Sequence, residues 1–111
     1  MVQARKNRKY WGWGYIDVEL PEKRLNGILQ LLNMGLGIQP GDAIEPRDAA
    51  AIDLPASRFE IPGDLEAFCT DDHFQRLFHT YGQSFRDVWR SLHAKFDNVP
   101  DYVAFPADED Q

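Results

Sequence analysis

The stretch His79-Thr80-Tyr81-Gly82-Gln83-Ser84, continued by Phe85-Arg86-Asp87-Val88-Trp89-Arg90 and then by Val99-Pro100-Asp101-Tyr102-Val103-Ala104-Phe105-Pro106, decides how this chain folds. Just before it, Phe74, Leu77, Phe78 and Tyr81 recur at the i, i+3, i+4, i+7 spacing of one helix face, with Thr70, Asp71 and Asp72 ahead of them as capping residues. Gly82 then stops that helix. Ser84-x-x-Asp87 resembles a capping box, although Asp reaches back less well than Glu, and Phe85, Val88, Trp89 and Leu92 form a second apolar stripe. The spacing predicts two amphipathic helices hinged at Gly82, leading into a strand over Val99 to Pro106. Pro106 closes the strand, and Asp108, Glu109 and Asp110 suit the start of a further helix, where acidic residues complement the dipole. The expectation is a strand that opens a βαβ unit and finds no partner in this chain.

Working upstream, Leu25, Ile28, Leu29, Leu32 and Leu36 mark a helix that Pro21 opens and Gly35 or Gly37 closes. Gly27 inside it costs about 1 kcal/mol relative to Ala, so this helix depends on packing. The Gly35/Gly37 end lacks the lysine and the strand-loop-helix setting of a phosphate loop. Residues 38–62 form a connector carrying Pro40, Pro46, Pro55 and Pro62, and a connector of this length is expected to wrap another surface. The predicted fold class is therefore mostly α: three short amphipathic helices and a long Pro-containing connector, plus one C-terminal strand, an incomplete fold with a thin core.

At 111 residues the chain has room for one compact unit. Its formal net charge of −6 argues against general nucleic-acid binding, which needs a clustered basic footprint. The basic run Arg5, Lys6, Arg8 and Lys9 ahead of Tyr10 and Trp11 reads as a solvated terminal arm, with RNA stacking or membrane-surface contact as the other reading. Cys69 is the only cysteine, which excludes an internal disulfide and a thiolate metal cluster. No apolar run approaches the roughly 20 residues of a membrane span, and cytoplasmic residence is expected.

Chemistry is sparse. Trp11-Gly12-Trp13-Gly14-Tyr15 is an aromatic-glycine cluster whose rings can anchor a closely approaching backbone, either as a packing plug or as a loop lining a cavity. His73 and His79, six apart, miss the i, i+4 spacing of a helical metal pair. His79 beside Tyr81 and Gly82 is the best placed histidine for a ligand, although a histidine at a helix end also serves to cap carbonyls. Arg76, Arg86 and Arg90 flank the hinge, either as a solvated face or as donors to an anionic group. Ser57, Ser84 and Ser91 lack a nucleophile elbow, and aspartates beside Cys69 disfavour its thiolate. The candidate docking or cavity-lining residues are thus Trp11, Gly12, Trp13, Gly14, Arg76, His79, Tyr81 and Gly82, with no catalytic, cofactor-binding or metal-ligating residue among them.

Taken in order, the Trp11 to Tyr15 cluster, the Leu-rich helix ending Gly35-Leu36-Gly37, Ile52-Asp53-Leu54-Pro55-Ala56-Ser57-Arg58-Phe59, Arg76…His79-x-x-Gly82-Gln83-Ser84 and Val99-Pro100-Asp101…Pro106 resemble the N-terminal region of FAD-linked oxidases and alkyldihydroxyacetonephosphate (alkylglycerone-phosphate) synthases. The resemblance spans Tyr10 to Gln111. It implies a flavoprotein of the vanillyl-alcohol-oxidase fold group, with residues 1–98 as the helical N-terminal region and 99–111 as the first strand of an FAD-binding α+β domain. Synthases of this kind exchange an acyl chain for a fatty alcohol in ether-lipid precursor synthesis, with the flavin as a covalent trap; relatives oxidise hydroxy acids or alcohols. The family's Gly-rich pyrophosphate loop, catalytic Tyr, His cluster and phosphate-binding Arg have no counterpart in this sequence, so no family site residue carries over. The resemblance therefore implies a chain inactive by itself and weak for FAD, whose partner is the remainder of the flavoenzyme in cis or in trans. The alternative is a small standalone interaction module that uses its aromatic plug; a small-molecule-binding domain built on Trp11, Trp13, His79 and Tyr81 ranks behind it.

Overall fold

A computed structural model describes residues 7–111; Arg5 and Lys6 of the basic run lie outside them. The elements are α1 (Glu22–Leu36), β1 (Cys69–Thr70), α2 (His73–Phe78), α3 (Phe85–Leu92) and β2 (Val103–Ala104), with single 3-10 turns at Pro40–Asp42 and Ala49–Ala51 in the connector. The three helices stand where the apolar periodicity puts them. Among the described residues, none of these helices is long and apolar enough to cross a membrane.

Each helix start has a local cause. Pro21 sits just outside α1, and Gly37 ends it in the left-handed conformation (φ 68°), donating its N–H to the Asn33 carbonyl. The Asp72 carboxylate accepts from the Gln75 N–H at 3.0 Å and so caps α2. At α3 the capping box is complete despite the short Asp side chain: Ser84 Oγ accepts from the Asp87 N–H at 3.3 Å, and Asp87 Oδ2 accepts from the Ser84 N–H at 3.4 Å. α2 ends at Phe78, ahead of Gly82, and the segment between the helices is a turn of several residues.

The C-terminal strand departs from expectation. β2 pairs antiparallel with β1 in the register Cys69 to Ala104 and Thr70 to Val103, and the Phe105 N–H extends the ladder to the Phe68 carbonyl at 2.8 Å. The strand over Val99 to Pro106 thus has a partner in this chain, and its regular part is confined to two residues. Antiparallel pairing needs no crossover helix, so the βαβ reading of this segment is not required.

The connector, expected to wrap another surface, supplies Ile52, 3% exposed, to a core shared with Leu77 (1%) and Phe96 (8%). Tyr10, Leu54, Tyr81 and Val99 pack around that trio, drawing together four separate parts of the sequence. His73 Nε2 lies 3.0 Å from the Ala49 carbonyl and ties α2 to the connector's second turn.

α1 contributes nothing to this core. None of its residues is buried, and Leu25, Ile28, Leu31 and Leu36 are exposed. The molecule is correspondingly elongated, 57 × 26 × 22 Å with a radius of gyration of 17.6 Å, against about 13 Å for a compact domain of this length.

Candidate functional site

The aromatic-glycine cluster is the tip of a small hairpin. Arg8 and Tyr15 form an antiparallel bridge, the Lys9 N–H donates to the Gly14 carbonyl at 3.0 Å, and the Ile16 N–H to the Asn7 carbonyl at 3.1 Å. Gly14 turns the tip with φ 87°, a conformation L side chains rarely adopt. Arg8 and Lys9, read from sequence as part of a solvated arm, belong to this hairpin: the Arg8 guanidinium lies 5.9 Å from the Tyr15 ring centroid, and the Lys9 ammonium lies 5.0 Å from that of Trp11.

The hairpin docks through its backbone. Gly12 is buried, and its carbonyl accepts from Gln83 Nε2 at 3.1 Å, across 71 residues of sequence. Trp13 stays 63% exposed, so the plug is seated by Gly12 and Trp11 while Trp13 faces outward. Tyr10 carries the connection inward: its hydroxyl donates to the Arg47 carbonyl, its ring meets Phe96 edge to face at 6.2 Å, and burial pushes its phenol pKa up. Sequence reasoning missed Gln83, whose long amide next to Gly82 was the available signal.

Arg76 is a clamp. It is buried, with Nε donating to the Pro100 carbonyl at 2.8 Å and Nη2 to the Pro55 carbonyl at 2.7 Å, so one guanidinium joins α2, the connector and the approach to β2. His79 caps α2: Nδ1 lies 2.8 Å from the Gln75 carbonyl, and the ring stands edge-on to Phe78 and Phe105 at 5.1 and 5.6 Å. Tyr81 stacks on Phe96 at 5.4 Å and donates its hydroxyl to the Lys95 carbonyl. A Cβ at Gly82 would stand 3.3 Å from Asp87 Oδ2, so the hinge glycine leaves room for the α3 capping box.

These residues do not converge on one cavity. The hairpin meets the hinge through Gln83, but Arg76, His79 and the Tyr81 hydroxyl are all committed to carbonyls. Among the described residues a cleft of about 390 Å3 is lined by Tyr81, Arg86, Trp89, Arg90, Lys95, Asp97 and Asn98. Of the expected set only Tyr81 belongs to it. Among the described residues no group of His, Cys, Asp and Glu is arranged to hold a metal ion.

None of the eight glycines is adjacent to another, and among the described residues no Gly-rich turn runs from a strand into a helix to cradle a pyrophosphate. Comparison of the chain with protein-family models, with curated proteins and with solved structures finds no match.

Proposed function

We propose that this chain is the N-terminal helical region of an FAD-linked flavoenzyme of the alkylglycerone-phosphate-synthase type, serving as a docking element for the flavin-binding body. The ordered set of motifs from Trp11 to Pro106 supports the family. The observation that carries the docking role is α1: a helix of 15 residues with an apolar face and no buried residue. Phe85 (82% exposed) and Trp13 on the hairpin tip add further uncovered apolar surface. Covering such a face releases about 25 cal/mol for each Å2 of apolar surface removed from water. Chemistry in this reading belongs to the flavin held elsewhere, and this chain's own residues pack and orient.

The test is twofold. The transcript beyond the Gln111 codon should encode a Gly-rich FAD-pyrophosphate loop, in frame or as a separate polypeptide, and that polypeptide should co-purify with residues 7–111 and lose FAD when α1 is made polar (L25Q/I28Q/L29Q/L32Q). A transcript with no flavin domain rejects the reading. A second reading, a standalone interaction module, is favoured by the core of Ile52, Leu77 and Phe96, which the chain builds from its own residues. A cooperative melt of the isolated chain that FAD does not shift would support it.

A further inference from the structure

The cleft beside the hinge carries chemistry that packing does not use. Arg86 and Arg90 stand one turn apart on α3, and Lys95 follows from the loop after it. In a chain of net charge −6, these three cations have no carboxylate within ion-pair distance among the described residues, where the charged fork that is satisfied is that of Arg58 on Asp101. Two of them are held in place without being neutralised: the Arg90 guanidinium lies 5.7 Å from the Tyr81 ring centroid, and the Lys95 ammonium 4.7 Å from that of Trp89. An aromatic face orients a cation while leaving its N–H donors for another acceptor. Tyr81 is itself fixed against Phe96 and by its hydroxyl to the Lys95 carbonyl, so the wall of the cleft is anchored to the core.

We propose that this cleft binds the oxyanion of a small molecule, a phosphate or carboxylate group, between the guanidinium forks of Arg86 and Arg90 and the ammonium of Lys95. The cleft is open to solvent, and Arg86, Arg90 and Lys95 all line it together with Tyr81 and Trp89. Guanidinium forks match both oxyanions through paired N–H donors, and charge-assisted bonds of this kind are the strong ones. Asp97, on the same cleft, repels the anion and limits how much charge it accepts. The site is independent of the flavoenzyme reading, since it needs no flavin and no second polypeptide.

The experiment is an NMR titration of the full chain at low ionic strength with inorganic phosphate, pyrophosphate and citrate as separate probes, following the Trp89 indole and the Arg86 and Arg90 Nε–H signals. Saturable shifts at these groups are expected, tighter for the phosphate probes if the ligand is a phosphate and for citrate if it is a carboxylate. R86Q/R90Q should weaken binding about tenfold or more, and D97N should tighten it severalfold. Shifts that never saturate and spread over every basic residue, or saturable binding that R86Q/R90Q leaves unchanged, would overturn the proposal. Should the double variant lose its folded spectrum, K95Q alone decides the matter: weaker binding supports the site, unchanged binding removes it.

Discussion

Asp101 accepts three hydrogen bonds from Arg58: from its backbone N–H at 2.8 Å, from Nε at 3.2 Å and from Nη2 at 2.8 Å. The fork joins the connector to the chain just ahead of β2, with the Asp101 carboxylate 12% exposed and the Arg58 side chain 75% exposed. Hydrogen bonds from Arg58 lower the Asp101 pKa from 3.8 to about 2.

That shift predicts an acid-sensitive joint. A carboxylate whose folded pKa is depressed contributes stability that is complete above its unfolded value near 3.8 and is lost as pH falls through about 2. Urea midpoints measured from pH 5 to pH 2 should decline over that window, and D101N should flatten this part of the decline while lowering the midpoint at pH 5. Equal slopes in both proteins would remove the fork from the acid response.

Leu77 is the most enclosed side chain of the core, at 1% exposure. Leu77→Ala should cost about 2–5 kcal/mol, which in a core this small approaches the whole stability of the fold. Loss of the near-ultraviolet dichroism of the aromatic residues at room temperature is the expected readout; a variant that melts within a few degrees of the parent would show that the trio does not hold the chain together.

Gln83→Ala removes the hydrogen bond that seats the hairpin on the hinge. The expected loss is about 1–3 kcal/mol, the cost of leaving a buried acceptor unsatisfied. Local fraying should dominate over global unfolding, because the Gly12 carbonyl is left buried without its donor. Hydrogen exchange at Lys9 and Ile16, whose N–H groups close the hairpin, should accelerate while exchange at Phe105 stays constant.

Ser84→Ala takes away both the acceptor for the Asp87 N–H and the hydroxyl that donates to Asp87 Oδ2 at 2.8 Å. A cost of about 1 kcal/mol is expected, within the usual range for such caps. Ser84→Asp, which restores an acceptor, should recover a substantial part of it unless repulsion from Asp87 dominates; thermal melts of the pair separate the two effects.

How far the sequence could be read depended on whether a residue's partner was near it. α2 and α3 were legible because their apolar stripes and caps lie within a few residues of one another, as with Asp72 and Gln75 or Ser84 and Asp87. The pairing of β1 with β2 was not, because Thr70 was read with Asp71 and Asp72 as a cap, and the strand partners of Cys69 and Thr70 come 33 or more positions later. The connector was read as a wrap around another surface because its prolines were visible, whereas the place of Ile52 in a core with Leu77 was not. Arg76 and His79 show the same limit in the candidate site: both types are common in ligand sites, and only the distances to the Pro55, Pro100 and Gln75 carbonyls reveal the structural bonds they make.

α1 carries two glycines, Gly27 and Gly35, no side-chain cap at its start and no basic residue in its last turn. A helix of 15 residues with these handicaps and no buried face is marginal in water by itself. Its order therefore works as a gauge of its surroundings. When the leucine face lies open, the backbone amides of residues 26–36 trade their protons with solvent almost as fast as a free peptide would, and when another surface closes over that face the same amides fall silent. A clock kept by deuterium on those few amides would tell an investigator, without any assay of activity, whether that face is open or covered.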